Sequence, residues 1–318
     1  MAQPTNTFDS YDSVGTREDL SDVIHNISPT QTPFLSMAAK SKARNTLHEW
    51  QTDSLAGAGQ NAVVEGDDAT LDATAPTARV GNYTQISDKT VVVSGTQEAT
   101  DKAGRRSEMS YQIAKRAKEL KRDIEFILTG NQGSDPGSPT TPRKTGSVEA
   151  WLASNVSRGA GGASGGYAAG IVSPAVDGTE RPFTEALLKS VIQSCWANGG
   201  DPSTIIVGPK NKAVASGFTG IATQYRENKG TAQATIIAAA DVYVSDFGEH
   251  RIVPSRFSRD RSALILDMEY WGVAYLRPFH TVELAKTGDS EKRQILAEYA
   301  LEAKQEAASG IVADLTTP

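Results

Sequence analysis

Apolar positions recur at helical spacing through one long stretch. Between Lys102 and Gly130, Met109, Ile113, Ala117, Leu120, Ile124 and Leu128 follow at steps of four, four, three, four and four. That rhythm is one stripe on a 3.6-residue helix. Arg105, Arg106, Lys115, Arg116, Lys118, Lys121 and Arg122 take the other faces, with Glu108, Glu119, Asp123 and Glu125 among them. Lys, Arg, Glu, Ala and Leu favour helix, and Gly130-Asn131 supplies the stop. The pattern predicts a rod about 40 Å long at 1.5 Å per residue. It should lie against a sheet on one side and leave a charged side free.

The rest of the chain is arranged around this rod. Leu20, Val23, Ile24 and Ile27 predict a short amphipathic helix on an N-terminal arm, stopped by Ser28-Pro29. Phe34, Leu35 and Met37 form an apolar anchor after Pro33. Asn45 to Ser54 and Arg79 to Ser94 read as strands, the second ending in the β-branched run Thr90 to Val93. The stretch between them is Ala, Gly, Asp and Thr. The whole reads as a long hairpin of about fifty residues with almost nothing to bury, and such a hairpin is marginal alone in water. Asn131 to Pro182 is a second stretch poor in large apolar residues, interrupted by Trp151-Leu152, and reads as a long loop.

Beyond Phe183 the pattern is α/β. Leu187, Leu188, Val191, Ile192, Cys195 and Trp196 mark a helix ending at Asn198-Gly199-Gly200. Thr204 to Val207 is a buried strand, Pro209 opens a helix, and Asp241 to Ser245 is another strand. Arg251 to Val253, Ala263 to Asp267, Gly272 to Leu276 and Thr281 to Leu284 read as separate strands punctuated by Pro254, Gly272 and Pro278. From Ile295 to Lys304, a period of two argues for strand, while the Ala, Glu and Lys content argues for helix.

Composition removes several classes. The chain has 318 residues, a net charge of −6 and one cysteine. An acidic balance argues against a dedicated nucleic-acid binder, and a single cysteine excludes an internal disulfide framework. No window is long and apolar enough for a membrane span, and the polar first residues are not a secretory signal. The four histidines show no metal-ligand spacing, so no metal or cofactor is expected.

Candidate catalytic motifs fare no better. Gly57-x-Gly59-x-x-Ala62 lacks the buried strand and following helix that dinucleotide binding needs. Gly162-x-Ser164-x-Gly166 fits a nucleophile-elbow pattern but sits in a glycine run with no strand before it. A hydrolase using Ser164 is therefore the weaker rival. Cys195 lies on an apolar helix face and reads as a core thiol. The expectation is no enzyme. Two protrusions without cores of their own suit a self-assembling subunit, because each buries surface only across a neighbour.

Long words of sequence then carry a resemblance. They include DVIHNISPTQTPFLS (Asp22 to Ser36), NTLHEWQTDSLA (Asn45 to Ala56), RVGNYTQISDKTVVVSGTQEATDKAGR (Arg79 to Arg105) and AKELKRDIEFILTGNQ (Ala117 to Gln132). VGPKNKAVASGFTG (Val207 to Gly220), ADVYVSDFG (Ala240 to Gly248), ILDMEYWGVAYLRPF (Ile265 to Phe279) and the run Ala285 to Leu315 continue it. On these stretches the chain resembles the tailed-bacteriophage major capsid (major head) proteins with the HK-97-type fold.

The resemblance implies an α+β fold: an N-arm (1–43), an extended β-hairpin loop (44–95) and a peripheral domain (96–182 and 249–318) with a spine helix (102–130) and a peripheral sheet. An axial α/β domain takes residues 183–248. It implies a virion shell protein that self-assembles as hexamers and pentamers into an icosahedral head around double-stranded DNA, built in the bacterial host cytoplasm. An encapsulin-like compartment of the same fold is the alternative. The implied partners are further copies, a separate scaffolding protein, a portal and a decoration protein, with weak non-specific DNA contact and no membrane. Phe34, Trp50, Arg79, Tyr83 and Lys89 are the expected inter-subunit contacts. Arg105, Arg106, Lys115, Arg116, Lys121 and Arg122 are the expected DNA-facing residues. Lys89 is the only lysine between Asn45 and Asp101 and lies away from the loop tip, so covalent welding through that loop is not expected.

Overall fold

The computed structural model describes residues 31–68, 74, 76–102, 104–218 and 242–317. The expected arm helix at Leu20 to Ile27 lies outside them.

The chain enters through a five-residue helix α1 (Pro33–Met37) and strand β1 (Ala39–Lys42). The hairpin is β2 (Leu47–Thr52) against β3 (Ala78–Tyr83), in register from Leu47 opposite Tyr83 to Thr52 opposite Ala78. The expected strand Arg79 to Ser94 is two strands. It breaks at Thr84, and β4 (Gln85–Ser94) leaves the hairpin for a different sheet. The loop boundary expected at residue 95 therefore includes a strand of the body.

A one-turn helix α2 (Gly95–Ala99) precedes the spine α3 (Glu108–Thr129). The spine is 22 residues, about 33 Å, and starts six residues later than the expected Lys102. The physical reason is capping. Ser107 Oγ accepts from the Ser110 amide, and Glu98 Oε2 accepts from the amides of Glu108 and Met109. These satisfy three of the four orphan donors of the first turn. Gly104, at φ +75°, turns the chain just before the cap. Gly130 ends the helix in an extended conformation rather than the left-handed one.

Two sheets follow. The first has the order β1-β12-β13-β4, with β12 (Trp271–Glu283) and β13 (Ser290–Ala303) as long central strands. The ambiguous segment from Ile295 is strand, and its inward residues Ile295, Ala297, Tyr299 and Leu301 are buried. Gly272 to Leu276 and Thr281 to Leu284, expected as separate strands, belong to β12. Pro278 does not break it because the register shifts between Arg277 and His280, and β1 ends its pairing at Tyr275. A proline at an irregular, edge-facing position removes no ladder hydrogen bond.

The second sheet has six strands. It combines β5 (Asn155–Ser157), β8 (Thr204–Val207), β9 (Val242–Ser245), β10 (Gly248–Pro254), β11 (Ala263–Leu266) and β14 (Gly310–Val312), in the order β5-β14-β11-β8-β10-β9. The domain boundary expected at 248/249 thus falls inside β10. Both faces are buried, which is why β8 (TIIV) and β11 (ALIL) read as unbroken apolar runs. On one face Ile205, Val207, Ala263 and Ile265 meet α5 (Glu185–Ala197), with α6 (Pro209–Ala215) adding Ala215. On the other, Ile206, Leu264, Leu266 and Ile311 join the spine residues Leu120, Ile124 and Leu128 and the β13 residues in one continuous core.

The stretch from Asn131 to Pro182 is not a structureless loop. It holds α4 (Val148–Trp151), β5, and a two-strand ribbon of β6 (Gly166–Ala168) and β7 (Ile171–Ser173). Val148, Ala150, Trp151, Leu152 and Val172 all lie in the main core. Few apolar residues sufficed because nearly all of them point the same way.

Candidate functional site

Three surfaces offer chemistry to a neighbour: the hairpin tip, the arm and the spine.

The hairpin is firmly held at its base. Asn82, fully buried, donates through Nδ2 to the carbonyls of Gly146 and Leu301 and accepts from the Gly146 amide at 2.8 Å. Trp50 donates its indole N–H to the Ala303 carbonyl at 2.9 Å and packs on Trp151 at 5.5 Å, which stacks on Tyr167 at 5.4 Å. Beyond Thr52 the support ends. Leu55 is 99% exposed, Val63 81% and Val64 76%, and a Cβ placed on Gly57, Gly59 or Gly66 would meet nothing within 4 Å. An apolar tip with no contact to its own subunit is a surface that gains only from a neighbour.

The arm is tied to the spine by a buried carboxylate. Pro33 begins α1, so the next two amides need an acceptor. Glu125 supplies it, each oxygen accepting at 2.8 Å, one from the Phe34 amide and one from the Leu35 amide. Burial pushes the Glu125 carboxyl up to about 6, against the pull of those two amides. Glu125, expected on the charged side, is fully buried together with Thr129, so the covered face of the spine is wider than the stripe.

The expected contact residues therefore separate. Phe34 is fully buried inside its own subunit and has no surface left for a partner. Trp50 is half-buried and engaged with Trp151. Arg79 pairs with Glu49, Tyr83 is half-buried at the hairpin base, and Lys89 pairs with Asp123 of the spine at 2.6 Å. The loop lysine is thus held by its own subunit.

The six expected DNA-facing cations differ in what they engage within the subunit. Arg105 pairs with Glu108, and Arg116 pairs with Glu119 at 2.6 Å. Lys121 lies over Phe279 and Arg122 over Phe257. Arg106 and Lys115 are exposed, as is Lys118.

Among the described residues, none of the catalytic motifs of the sequence is assembled into a site. Cys195 is fully buried, and burial pushes its thiol up to about 12. Ser164 is exposed and no hydrogen bond joins it to a histidine among the described residues. Gly57 and Gly59 lie in an extended loop with no helix after them. Among the described residues, no group of three His, Cys, Asp or Glu side chains is placed to hold a metal, and no helix is long and apolar enough to cross a membrane.

Sequence reasoning missed two polar residues that hold these surfaces in place: Asn82 at the hairpin base and Glu125 beneath the arm. Only Glu125 left a signal, in the unmet amides after Pro33.

A capped spine, an unsupported loop tip, an anchored arm and two sheets on one core define a shell subunit of the HK-97-type fold. Solved capsids agree. The cyanophage A-1(L) capsid asymmetric unit superposes with a TM-score of 0.65 at 13% identity, covering 95% of this chain and 98% of that one. A Gordonia phage Cozz structure gives 0.62 at 11% identity over 99% and 98%. At the level of sequence, the major capsid protein of Escherichia phage Phieco32 is 29% identical over 98% of this chain and 97% of its own length. The chain matches the SU10 major capsid protein family over residues 3–316 and belongs to it. It is a tailed-phage major capsid protein that forms an icosahedral shell.

Proposed function

We propose that the shell encloses double-stranded DNA and that each subunit completes its fold across its neighbours through the loop tip. The carrying observation is that tip: three large apolar side chains at 76–99% exposure on a hairpin whose base is rigidly held. Hexamers and pentamers are the units that present such loops to neighbours, and assembly in the host cytoplasm with a separate scaffold, a portal and a decoration protein fits the same reading. The subunit works as structure and not as a catalyst. Its charge of −6 keeps packaged DNA loosely held. Arg106, Lys115 and Lys118 are the cations left for phosphate, and their contacts weaken with salt as counterions return. The division into arm, loop, peripheral and axial parts also remains part of this reading, with the six-stranded sheet shared between the peripheral and axial segments.

Deleting Ala56 to Ala78 tests the proposal. Circular dichroism should show a folded, soluble subunit, and electron microscopy should show no shells. Normal shells from the deletion would overturn it.

A further inference from the structure

The turn between β9 and β10 holds a hydroxyl against a base. Ser245 ends β9, Gly248 starts β10, and Asp246-Phe247 links them. Tyr243 and His250 are cross-strand partners, and both are buried, His250 completely. Ser245 lies two positions beyond Tyr243, so its side chain shares that face. Ser245 Oγ is 2.7 Å from His250 Nε2.

The hydrogen bonds around the pair assign its protons. His250 Nδ1 faces the Pro202 carbonyl, which only accepts, so Nδ1 carries the hydrogen. Nε2 is then the bare nitrogen, and the Ser245 hydroxyl donates to it. The Gly248 carbonyl is a competing acceptor for that hydroxyl, but at 3.3 Å it is the weaker one. The Phe247 amide donates to Oγ at 3.1 Å and fixes the oxygen in place. Closing the turn needs only the Phe247 and Gly248 bonds, so the bond to His250 is additional. A serine that donates to an imidazole whose other nitrogen is held by an acceptor has the arrangement of a base-assisted nucleophile.

The surroundings select what can react there. Ser245 is half-buried, and Asp246 and Glu249 beside it are exposed. Phe247 packs on Trp196 at 5.3 Å, and Trp196 is 58% exposed, so an apolar platform adjoins the hydroxyl. Asp246 acts electrostatically on both Lys189 and Tyr243, which places its charge over this face. Carboxylates at the approach repel anionic reagents. A neutral donor with an apolar group suits both features.

We propose that Ser245 is a modification site that takes the acyl or phosphonyl group of a neutral, activated donor, with His250 as its base. Oγ bonds to the electrophilic carbon or phosphorus, and the bond to the leaving group breaks. The hydroxyl proton passes to His250 Nε2 and on to the leaving group. The Phe247 amide is committed to Oγ rather than to a developing oxyanion, so the transferred group stays on the serine. The event is one transfer per subunit and not turnover, in keeping with a subunit that works as structure.

Treating the full-length, unassembled subunit with a neutral alkyl fluorophosphonate provides the test. Each event forms an oxygen–phosphorus bond, breaks the phosphorus–fluorine bond and releases hydrogen fluoride. Intact mass should show one adduct per chain, and peptide mapping should place it on Ser245. Within the same wild-type digest, Ser245 should label at least about a hundredfold faster than the exposed Ser164, the scale of general-base assistance. Ser245→Ala should lose the adduct. His250→Gln keeps hydrogen-bonding groups but removes the base, and should lose the rate advantage with an unchanged circular dichroism spectrum. A carboxylated form of the reagent should label more slowly than the neutral one, and added salt should narrow that gap. Equal labelling of Ser245 and Ser164, or undiminished labelling of a folded His250→Gln chain, would overturn the proposal. Should the Gln variant not fold, the comparison of the two serines in the wild-type chain decides it.

Discussion

Two stretches of this chain look alike in sequence and fold differently. The hairpin tip from Asp53 to Thr77 and the segment from Asn131 to Pro182 are both rich in Gly, Ala, Ser and Thr and poor in large apolar residues. Where it is described, the tip stands clear of its subunit, with Leu55 at 99% exposure. The second segment is woven into the body, with Val148 and Leu152 fully buried and Trp151 at 2%.

Two devices make the difference. The first is a set of apolar anchors that all face one core. The second is a pair of buried carboxylates supplied to glycine and arginine. Asp314 accepts from the amides of Gly159 and Gly178 and pairs with Arg261. Glu149, fully buried, accepts from Arg259 at 2.8 Å and from Ser262, with Arg158 at 3.7 Å. Glycine turns become ordered when a carboxylate from a distant part of the chain takes up their amide donors. The described tip has no such acceptor. Low apolar content therefore separates nothing by itself; what decides is whether the few anchors converge and whether the free amides are met.

Removing the anchor should turn the second segment into a copy of the first. Trp151→Ala should cost about 3–5 kcal/mol by cavity formation, read by denaturant unfolding of the unassembled subunit. Loss of Trp151 also removes the partner of Trp50, so the hairpin base should loosen with it.

Asp314→Asn sharpens the comparison electrostatically. Asp314 sits at φ +58°, which Asn tolerates equally, so the variant changes charge and acceptor strength rather than backbone strain. A loss of about 1.5–3 kcal/mol is expected for a charged acceptor. The same residue sets a pH dependence. Burial alone would push its carboxyl up, but the Gly159 and Gly178 amides, with Arg158 and Arg261, hold it below the ordinary 3.8. A depressed carboxyl stabilises the fold above its unfolded value and loses that contribution as pH falls through the folded one. Hydrogen-exchange protection at 159–162 and 176–179, corrected for intrinsic rates, should therefore drop below about pH 3.8, and should be low at every pH in the Asn variant. Unchanged protection in acid would show that the carboxylate does not hold these turns.

Leu55→Ala is the smallest change. With no intra-subunit contact it should move subunit stability by less than about 0.5 kcal/mol. A larger loss by the same denaturant measurement would mean the tip packs on its own body after all.

Periodic segments were legible from the sequence. The spine stripe, α5, the runs TIIV and ALIL and the capsid likeness all rest on local spacing or continuous words, which side-chain geometry along one element dictates directly. The unsupported tip was legible too, since absence of anchors needs no partner to be seen. The engagements of the candidate contact residues inside the subunit were not: Phe34 is buried, Trp50 packs on Trp151 and Lys89 pairs with Asp123. Tertiary structure alone decided the rest. It split Arg79 to Ser94 at Thr84, carried β12 through Pro278, placed β10 across the expected boundary, and buried Glu125, Glu149 and Asp314. For the buried carboxylates and for β4 the partner lies about ninety to more than two hundred positions away: Phe34 for Glu125, Arg259 for Glu149, Gly159 for Asp314, β13 for β4. A buried carboxylate is stable only where donors from remote segments converge on it. Spacing along a chain cannot show that convergence, because it is created when the sheets close on a common core.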